Sequence, residues 1–433
     1  MRPQLDSSTI YGNTVRYEHA AKVLSVILRV WTLLSRFLLI FSLAYFLKPS
    51  ELGAFGLLSV SISYAIYLLG FDFYNFSSRQ IAGEDIRLLG GMLKSQVAFF
   101  LLAYSLVLPL LTTLFWWGIV PWPLAPWFFF ILVMEHIGQE LNRLLVSISR
   151  PIMASIVLFL RAGVWVFFLI PLMWAKPALR GLDSVLAAWA MGVTVACILG
   201  TTQVIKIGLD LKSTKVNWDW IWRGVKVSFP LLLATLAVRG LFTFDRYFFE
   251  HLNGVELLGC YVLFIGVASA IVSFLEAGVF VFAYPALIVA FRSDHKEKFL
   301  LLMRNMRRNT LLLGGAGALL AYFLLKPFLF YLGNTFYLDN FSIFKWIVLA
   351  IFIHCISMVP HYGLYAKGGD RYIILSHATG LIVFIAGVFA ISPYDKVASV
   401  PYALIMAFLV IFVIKSISFH ALLKRWLAEE AES

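Results

Sequence analysis

Polar residues in this chain gather in short clusters, separated by long runs in which almost every position is apolar. A bilayer core takes about 20 apolar residues of helix. Runs of that length recur at 23–47, 53–76, 95–118, 123–146, 152–174, 183–205, 225–249, 257–284, 309–332, 341–365, 371–392 and 397–420. The pattern predicts an all-α polytopic membrane protein with about twelve transmembrane helices. Apolar character runs almost unbroken from Leu257 to Phe291, where Pro285 would end or kink the eighth span. The segments between runs are short and leave no room for a large extramembrane domain.

Charge changes the picture by giving the chain a direction. Lys and Arg number 35 against 23 Asp and Glu, for a net +12, yet charged residues make up only 13% of a chain that is 61% hydrophobic. Soluble proteins run near 25% charged. Of the cations, 23 fall on the side of the N-terminus, the loops after even-numbered spans and the C-terminus. Only five fall on the other side: Lys48, Lys176, Arg180, Lys326 and Lys396. Cytoplasmic loops carry such an excess, so both termini are expected in the cytoplasm, and the net charge calls for no nucleic acid partner. The polar start lacks the apolar core of a signal peptide. The expected order is a cytoplasmic segment 1–22, a six-helix bundle 23–205, a cytoplasmic linker 206–224, a second six-helix bundle 225–420 and a cytoplasmic tail 421–433. Cys197, Cys260 and Cys355 lie far apart in apolar runs and read as core residues. The external turn WWGIVPWPLAPW reads as an interfacial aromatic belt, with a platform for stacking sugars as the alternative.

The halves echo one another. Arg36 is followed by ELGAF at 51–55, and Arg239 by ELLGCY at 256–261, so that Gly53 and Gly259 correspond. Six spans per half is an even number, so both halves enter the membrane in the same sense. This implies parallel repeats about a pseudo-two-fold axis along the membrane normal, with a site near the midplane.

Candidate chemistry sits where charge is costly. Arg29, Arg36, Arg161 and Arg239 fall inside spans, where insertion costs roughly 2.5–3.5 kcal/mol each at the helix centre. Arg29 and Arg36 are seven apart with Thr32 between them, and Arg239 and Arg246 repeat that spacing beside Thr235 and Thr243. Guanidinium groups suit bidentate phosphate contact, so the cluster points to an anion. The alternative is that each arginine is neutralised by a buried carboxylate, or, for Arg29, that it snorkels to the interface. The acids within spans are Asp72, Glu135, Glu140, Asp245 and Glu276. Glu140 and Arg143 are placed for a local pair, Asp72 for a pair with Arg29 or Arg79, and Asp245 lies beside Arg246. Glu276 has no sequence neighbour to pair with, so it is a candidate for H+ or Na+ coupling or for a structural pair with an arginine. His136, His354 and His361 lack close metal-binding spacing and read as hydrogen-bonded side chains, so no metal site is expected. No nucleotide-binding loop occurs, leaving an ion gradient, the membrane potential or a substrate gradient as driving force. External loops of at most about ten residues argue against a glycosyltransferase, polymerase or ligase, and no catalytic residue is assigned.

The segment FLLIFSLAYFLKPSELGAFGLLSV, with Arg36 upstream and GFDFYNFSSRQIAGED downstream, resembles the opening of polysaccharide transporters. FPLLLATLAVRGLFTFDRYFFEHLNGVELLGCYVLF resembles the start of their second half, in its FP, its Asp245 and Arg246 pair and its G-x-Y. These are the Wzx-type O-antigen and lipid-linked oligosaccharide flippases of the MOP (multidrug/oligosaccharidyl-lipid/polysaccharide) superfamily. The resemblance implies two six-helix bundles in a bacterial inner membrane, translocating an undecaprenyl-diphosphate-linked oligosaccharide by alternating access through a cationic central cavity. It implies Arg36, Arg239, Arg161, Arg29 and Arg246 as diphosphate-binding residues, and Glu276, Asp72 and Asp245 for ion coupling or charge pairing. The partners would be the polyprenyl-diphosphate-linked glycan and membrane lipids, with a polysaccharide polymerase as a candidate, and no cofactor. Lipid II flippases of the superfamily usually have fourteen spans, two more than counted here. The alternative is a cation-coupled multidrug exporter of the same superfamily, though such a cavity should be acidic or aromatic, and here bases outnumber acids.

Overall fold

The apolar runs form helices, because only a helix satisfies every backbone N–H and C=O within the lipid. The computed structural model describes residues 7–82, 86–208 and 214–428. Parts of the expected N-terminal segment, the linker and the tail therefore lie outside the described residues. The helices are α1 (Ser7–Phe46), α2 (Pro49–Gly70), α3 (Tyr74–Ile81), α4 (Ile86–Leu111), α5 (Thr113–Trp116), α6 (Ala125–Ser147), α7 (Pro151–Phe159), α8 (Trp165–Ala175), α9 (Leu182–Ile205) and α10 (Trp218–Leu275). Then follow α11 (Val281–Arg292), α12 (Lys296–Leu332), α13 (Thr335–Asp339), α14 (Ser342–Ala366), α15 (Asp370–Ile391) and α16 (Lys396–Ala428). No strand occurs among the described residues.

Among the described residues, ten helical stretches are long and apolar enough to cross a membrane by length and composition. Two refinements recover the twelve spans of the sequence pattern. The stretch Trp218–Arg292 runs for 75 residues, but Gly254 inside it has φ 82 and ψ 165. That left-handed backbone suits glycine, and it divides the stretch into the seventh and eighth spans. The other addition is α6, whose Glu135, His136, Glu140 and Arg143 dilute its apolar character. Pro285 does not end the eighth span, which continues through it to Arg292. The irregularity lies upstream, in a π-helical turn at Glu276–Phe280. A second π turn, Leu160–Val164, separates α7 from α8. Both turns carry a charged residue followed by Ala-Gly: Arg161-Ala162-Gly163 in one and Glu276-Ala277-Gly278 in the other. Single π turns are rare and recur at functional positions.

By packing, the chain divides into two units. The first comprises Met1–Ser42 and Ala65–Leu232, the second Leu43–Tyr64 and Leu233–Ser433. The boundary thus falls inside α10 rather than in the linker. In the first unit, Phe73, Phe99, Phe100, Trp220 and Ile221 form a buried cluster, with Phe73 stacked on Phe99 at 4.5 Å. In the second unit, α2 begins against the second part of α10. A Cβ added at Gly53 would strike the Val255 carbonyl oxygen, and one at Gly259 the Pro49 carbonyl oxygen. The two glycines that echo each other in sequence therefore face one another across a single close helix crossing, where only hydrogen fits. Further along α2, Ser61 and Tyr247 hydrogen-bond through their hydroxyls.

Candidate functional site

On α1, Arg29 and Arg36 are exposed. Thr32 does not share their surroundings: it is buried and donates its hydroxyl to the Leu28 carbonyl at 2.8 Å. Ser35 turns the same way, donating to the Thr32 carbonyl at 2.8 Å and lying 3.4 Å from that of Ala162. Thr32 and Ser35 thus turn inward within the first unit, Ser35 toward the turn that carries Arg161, while Arg29 and Arg36 are exposed.

Arg161 is half-buried and paired. Its guanidinium lies 3.4 Å from a Glu135 carboxylate oxygen and donates to the Glu135 carbonyl at 3.2 Å. The indole of Trp189 donates to the other carboxylate oxygen at 2.7 Å. A second pair lies lower on α6, where Arg143 meets Glu140 at 2.5 Å as the spacing predicts. Gln96 donates to Glu140 at 3.0 Å, and Arg143 sits 3.5 Å over the ring of Tyr74. His136, between the two acids, is hydrogen-bonded to the Tyr104 hydroxyl at 2.6 Å. Asp72 is buried, and with Phe71 it adopts positive φ (50° and 53°) at the turn between α2 and α3. Aspartate tolerates that backbone better than most residues, phenylalanine poorly.

The second unit treats its charges differently. Arg239 is exposed on α10. Arg246, two turns on, is half-buried and donates to both oxygens of Asp245 at 2.9 and 3.2 Å. Asp245 is fully buried and also accepts from the Tyr261 hydroxyl at 2.9 Å. The spacing of seven between Arg239 and Arg246 therefore joins an exposed cation to a half-buried one. Glu276 is exposed at its π turn.

Two residues that sequence reading passed over complete a further cluster. Lys415 of α16 is 0% exposed and His377 of α15 only 3%. They join His354 and His361 of α14, with the rings of His361 and His377 6.4 Å apart. A lone lysine in the last span, and two histidines seven apart on α14, were the available signals.

No family model matches the chain, and no curated protein matches it in sequence. Solved structures do. An inward-facing multidrug resistance MATE family transporter of the MOP superfamily superposes with a TM-score of 0.75 at 12% identity, covering 92% of this chain and 95% of that one. The fold is shared with that structure. A MATE structure in complex with MaD3S gives a TM-score of 0.61 at 13% identity, and one in a bent conformation 0.57 at 14%, each covering 94% of this chain and 97% of the other. The chain is thus a multi-pass membrane protein with the twelve-helix, two-bundle architecture of MATE transporters. At such low identity the likeness reaches the fold alone.

Proposed function

We propose that this chain is a flippase carrying a polyprenyl-diphosphate-linked oligosaccharide, of the undecaprenyl type, from the cytoplasmic to the outer leaflet of a bacterial inner membrane. The observation that supports this most is the exposure of three intramembrane arginines. Arg29, Arg36 and Arg239 are exposed, and Arg161 and Arg246 meet Glu135 and Asp245. A diphosphate loses water as it leaves the headgroup region, and guanidinium groups offset that loss through charge-assisted, often bidentate hydrogen bonds. On this reading Arg36 and Arg239 hold the diphosphate, Arg29 receives it near the cytoplasmic edge, and Arg161 and Arg246 keep neighbouring carboxylates neutralised. Transport proceeds by alternating access, the lipid tail stays in the bilayer, and both termini lie in the cytoplasm. The product suits a polymerase of surface polysaccharide as the next partner.

A multidrug exporter is the second reading. Its support is that solved transporters of this fold include multidrug resistance MATE proteins, together with the exposure of Glu276, an acid able to meet a cation. An export assay separates the two. The chain, Arg36→Ala and Arg239→Ala are expressed at equal levels in a flippase-deficient bacterium with matching glycan genes. Restored surface glycan in the parent and its loss in both variants supports the flippase. Normal export by the variants contradicts the role of the arginines. Drug resistance without glycan export from several loci favours the exporter.

A further inference from the structure

In the second unit, α11 and α14 end and α15 begins around a cavity of about 410 Å3. That volume falls in the range of small-molecule sites, roughly 300–1,000 Å3. Tyr284 and Phe291 of α11, Tyr365 of α14, Arg292 at the end of α11 and Asp370 at the start of α15 line it. The rings of Tyr284 and Tyr365 lie 5.3 Å apart. Behind them Tyr362 stands 5.8 Å from Tyr284 and packs 5.0 Å from the buried ring of Phe280. The tyrosine wall is therefore backed by further rings and held in place. Tyrosines of an interfacial belt sit at the headgroup level. These converge on one another and border an enclosed volume.

The charge lining the cavity narrows what it can hold. Lys367 borders it, but its Nζ is buried 4.1 Å over the ring of Trp426 and 5.0 Å over that of Phe291. Trp426 is anchored in turn, since its indole donates to Asp294 at 2.8 Å. The exposed charges left on the lining are one of each sign, Arg292 and Asp370. An anion would meet the Asp370 carboxylate, a cation would meet the Arg292 guanidinium, and a hydrocarbon chain would leave both without a partner. A hydroxyl group both donates and accepts, so a neutral polyhydroxyl ligand can give a proton to Asp370 and accept one from Arg292. Tyrosine adds an apolar ring face with a polar tip. That combination matches a sugar ring, which has a face of C–H groups and a rim of hydroxyls.

We propose that this cavity binds a neutral saccharide unit, stacked on Tyr365 and Tyr284 and hydrogen-bonded by Asp370 and Arg292. As a docking point for a glycan it rests on the flippase reading above, in whose orientation this end of the unit faces the cytoplasm, where the headgroup is loaded. The sugar is then held by a site separate from the arginines assigned to the diphosphate, and the cavity rather than Arg36 or Arg239 selects among glycans.

Saturation-transfer difference NMR tests the site without the lipid. Full-length protein is held in a detergent that has no sugar headgroup and titrated with the methyl glycosides of glucose, galactose, rhamnose and N-acetylglucosamine at millimolar concentrations. At least one glycoside should receive saturation in a saturable manner. Tyr365→Ala and Asp370→Asn should each weaken its apparent affinity about tenfold, the loss expected for one hydrogen bond to a charged group or one aromatic contact. Both residues are exposed, and size-exclusion elution confirms that the variants are folded. Should either fail to fold, Arg292→Gln takes its place with the same expected loss. The proposal is overturned if no glycoside receives saturation, or if the variants bind as the parent does. Displacement of the glycoside by inorganic phosphate would assign the cavity to an anion and overturn it equally. A protein that binds glycosides through Tyr365 and Asp370 but exports no glycan loses the flippase reading and keeps the site. One that exports glycan equally well as parent, Tyr365→Ala and Asp370→Asn keeps the flippase reading and loses the site.

Discussion

The two units solve the problem of intramembrane charge in opposite ways. The first neutralises: Glu135 with Arg161, held by Trp189, and Glu140 with Arg143, held by Gln96 and Tyr74. The second neutralises one carboxylate, Asp245, and then buries Lys415 and three imidazoles without an acid. A buried ion pair is a structural element, since breaking it leaves an uncompensated charge. Removing a base that is buried without a hydrogen-bond partner strands no opposite charge. Removing a member of each set should therefore have opposite effects on stability.

The largest effect is expected at Glu135. Glu135→Ala strands the Arg161 guanidinium and should cost about 3–5 kcal/mol, read as a marked fall in thermal unfolding temperature in detergent. The double variant Glu135→Ala with Arg161→Met should recover much of it. A single variant as stable as the parent would show that Arg161 has another anion to hold. Next comes the glycine crossing in the second unit. Gly53→Ala and Gly259→Ala each force two backbones apart, with an expected cost of about 1–3 kcal/mol, and the double variant should exceed either. Trp189→Phe keeps the ring but loses the indole bond to Glu135, for about 1.5–3 kcal/mol on the scale of hydrogen bonds to charged groups. The smallest change, and the one that sharpens the comparison most, is at Lys415. Lys415→Met should leave stability within about 0.5 kcal/mol of the parent or raise it. A loss as large as that of Glu135→Ala would mean that Lys415 is a structural cation and would end the contrast between units.

Much of the fold was legible because lipid imposes a length on every span. The twelve apolar runs became helices, and the break at Gly254 falls between the seventh and eighth runs, inside one continuous helical stretch. The echo between Gly53 and Gly259 proved informative beyond symmetry, since the two positions touch. The Glu140 and Arg143 pair was readable because its partners are three residues apart on one helix. What the sequence hid is tertiary. Arg161 and Glu135 lie 26 residues apart on different helices, and Lys415, His377 and the α14 histidines come from three. When nearly every position of a span is apolar, periodicity does not mark which face turns inward, so a lysine at 415 looks the same whether it meets lipid or imidazole. Thr32 shows the limit on a smaller scale: it sits between Arg29 and Arg36 in spacing, yet turns into the first unit and away from them.

On the proposed reading Arg36 and Arg239 hold a diphosphate that the Arg161 and Glu135 pair does not. Native mass spectrometry of the purified chain with undecaprenyl diphosphate tests it directly, comparing the parent with Arg36→Ala, Arg239→Ala and the Arg161→Met, Glu135→Ala double variant. The parent and the double variant are expected to carry the lipid, and both exposed-arginine variants to lose most of it. Equal occupancy in all four, or loss in the double variant alone, would contradict it.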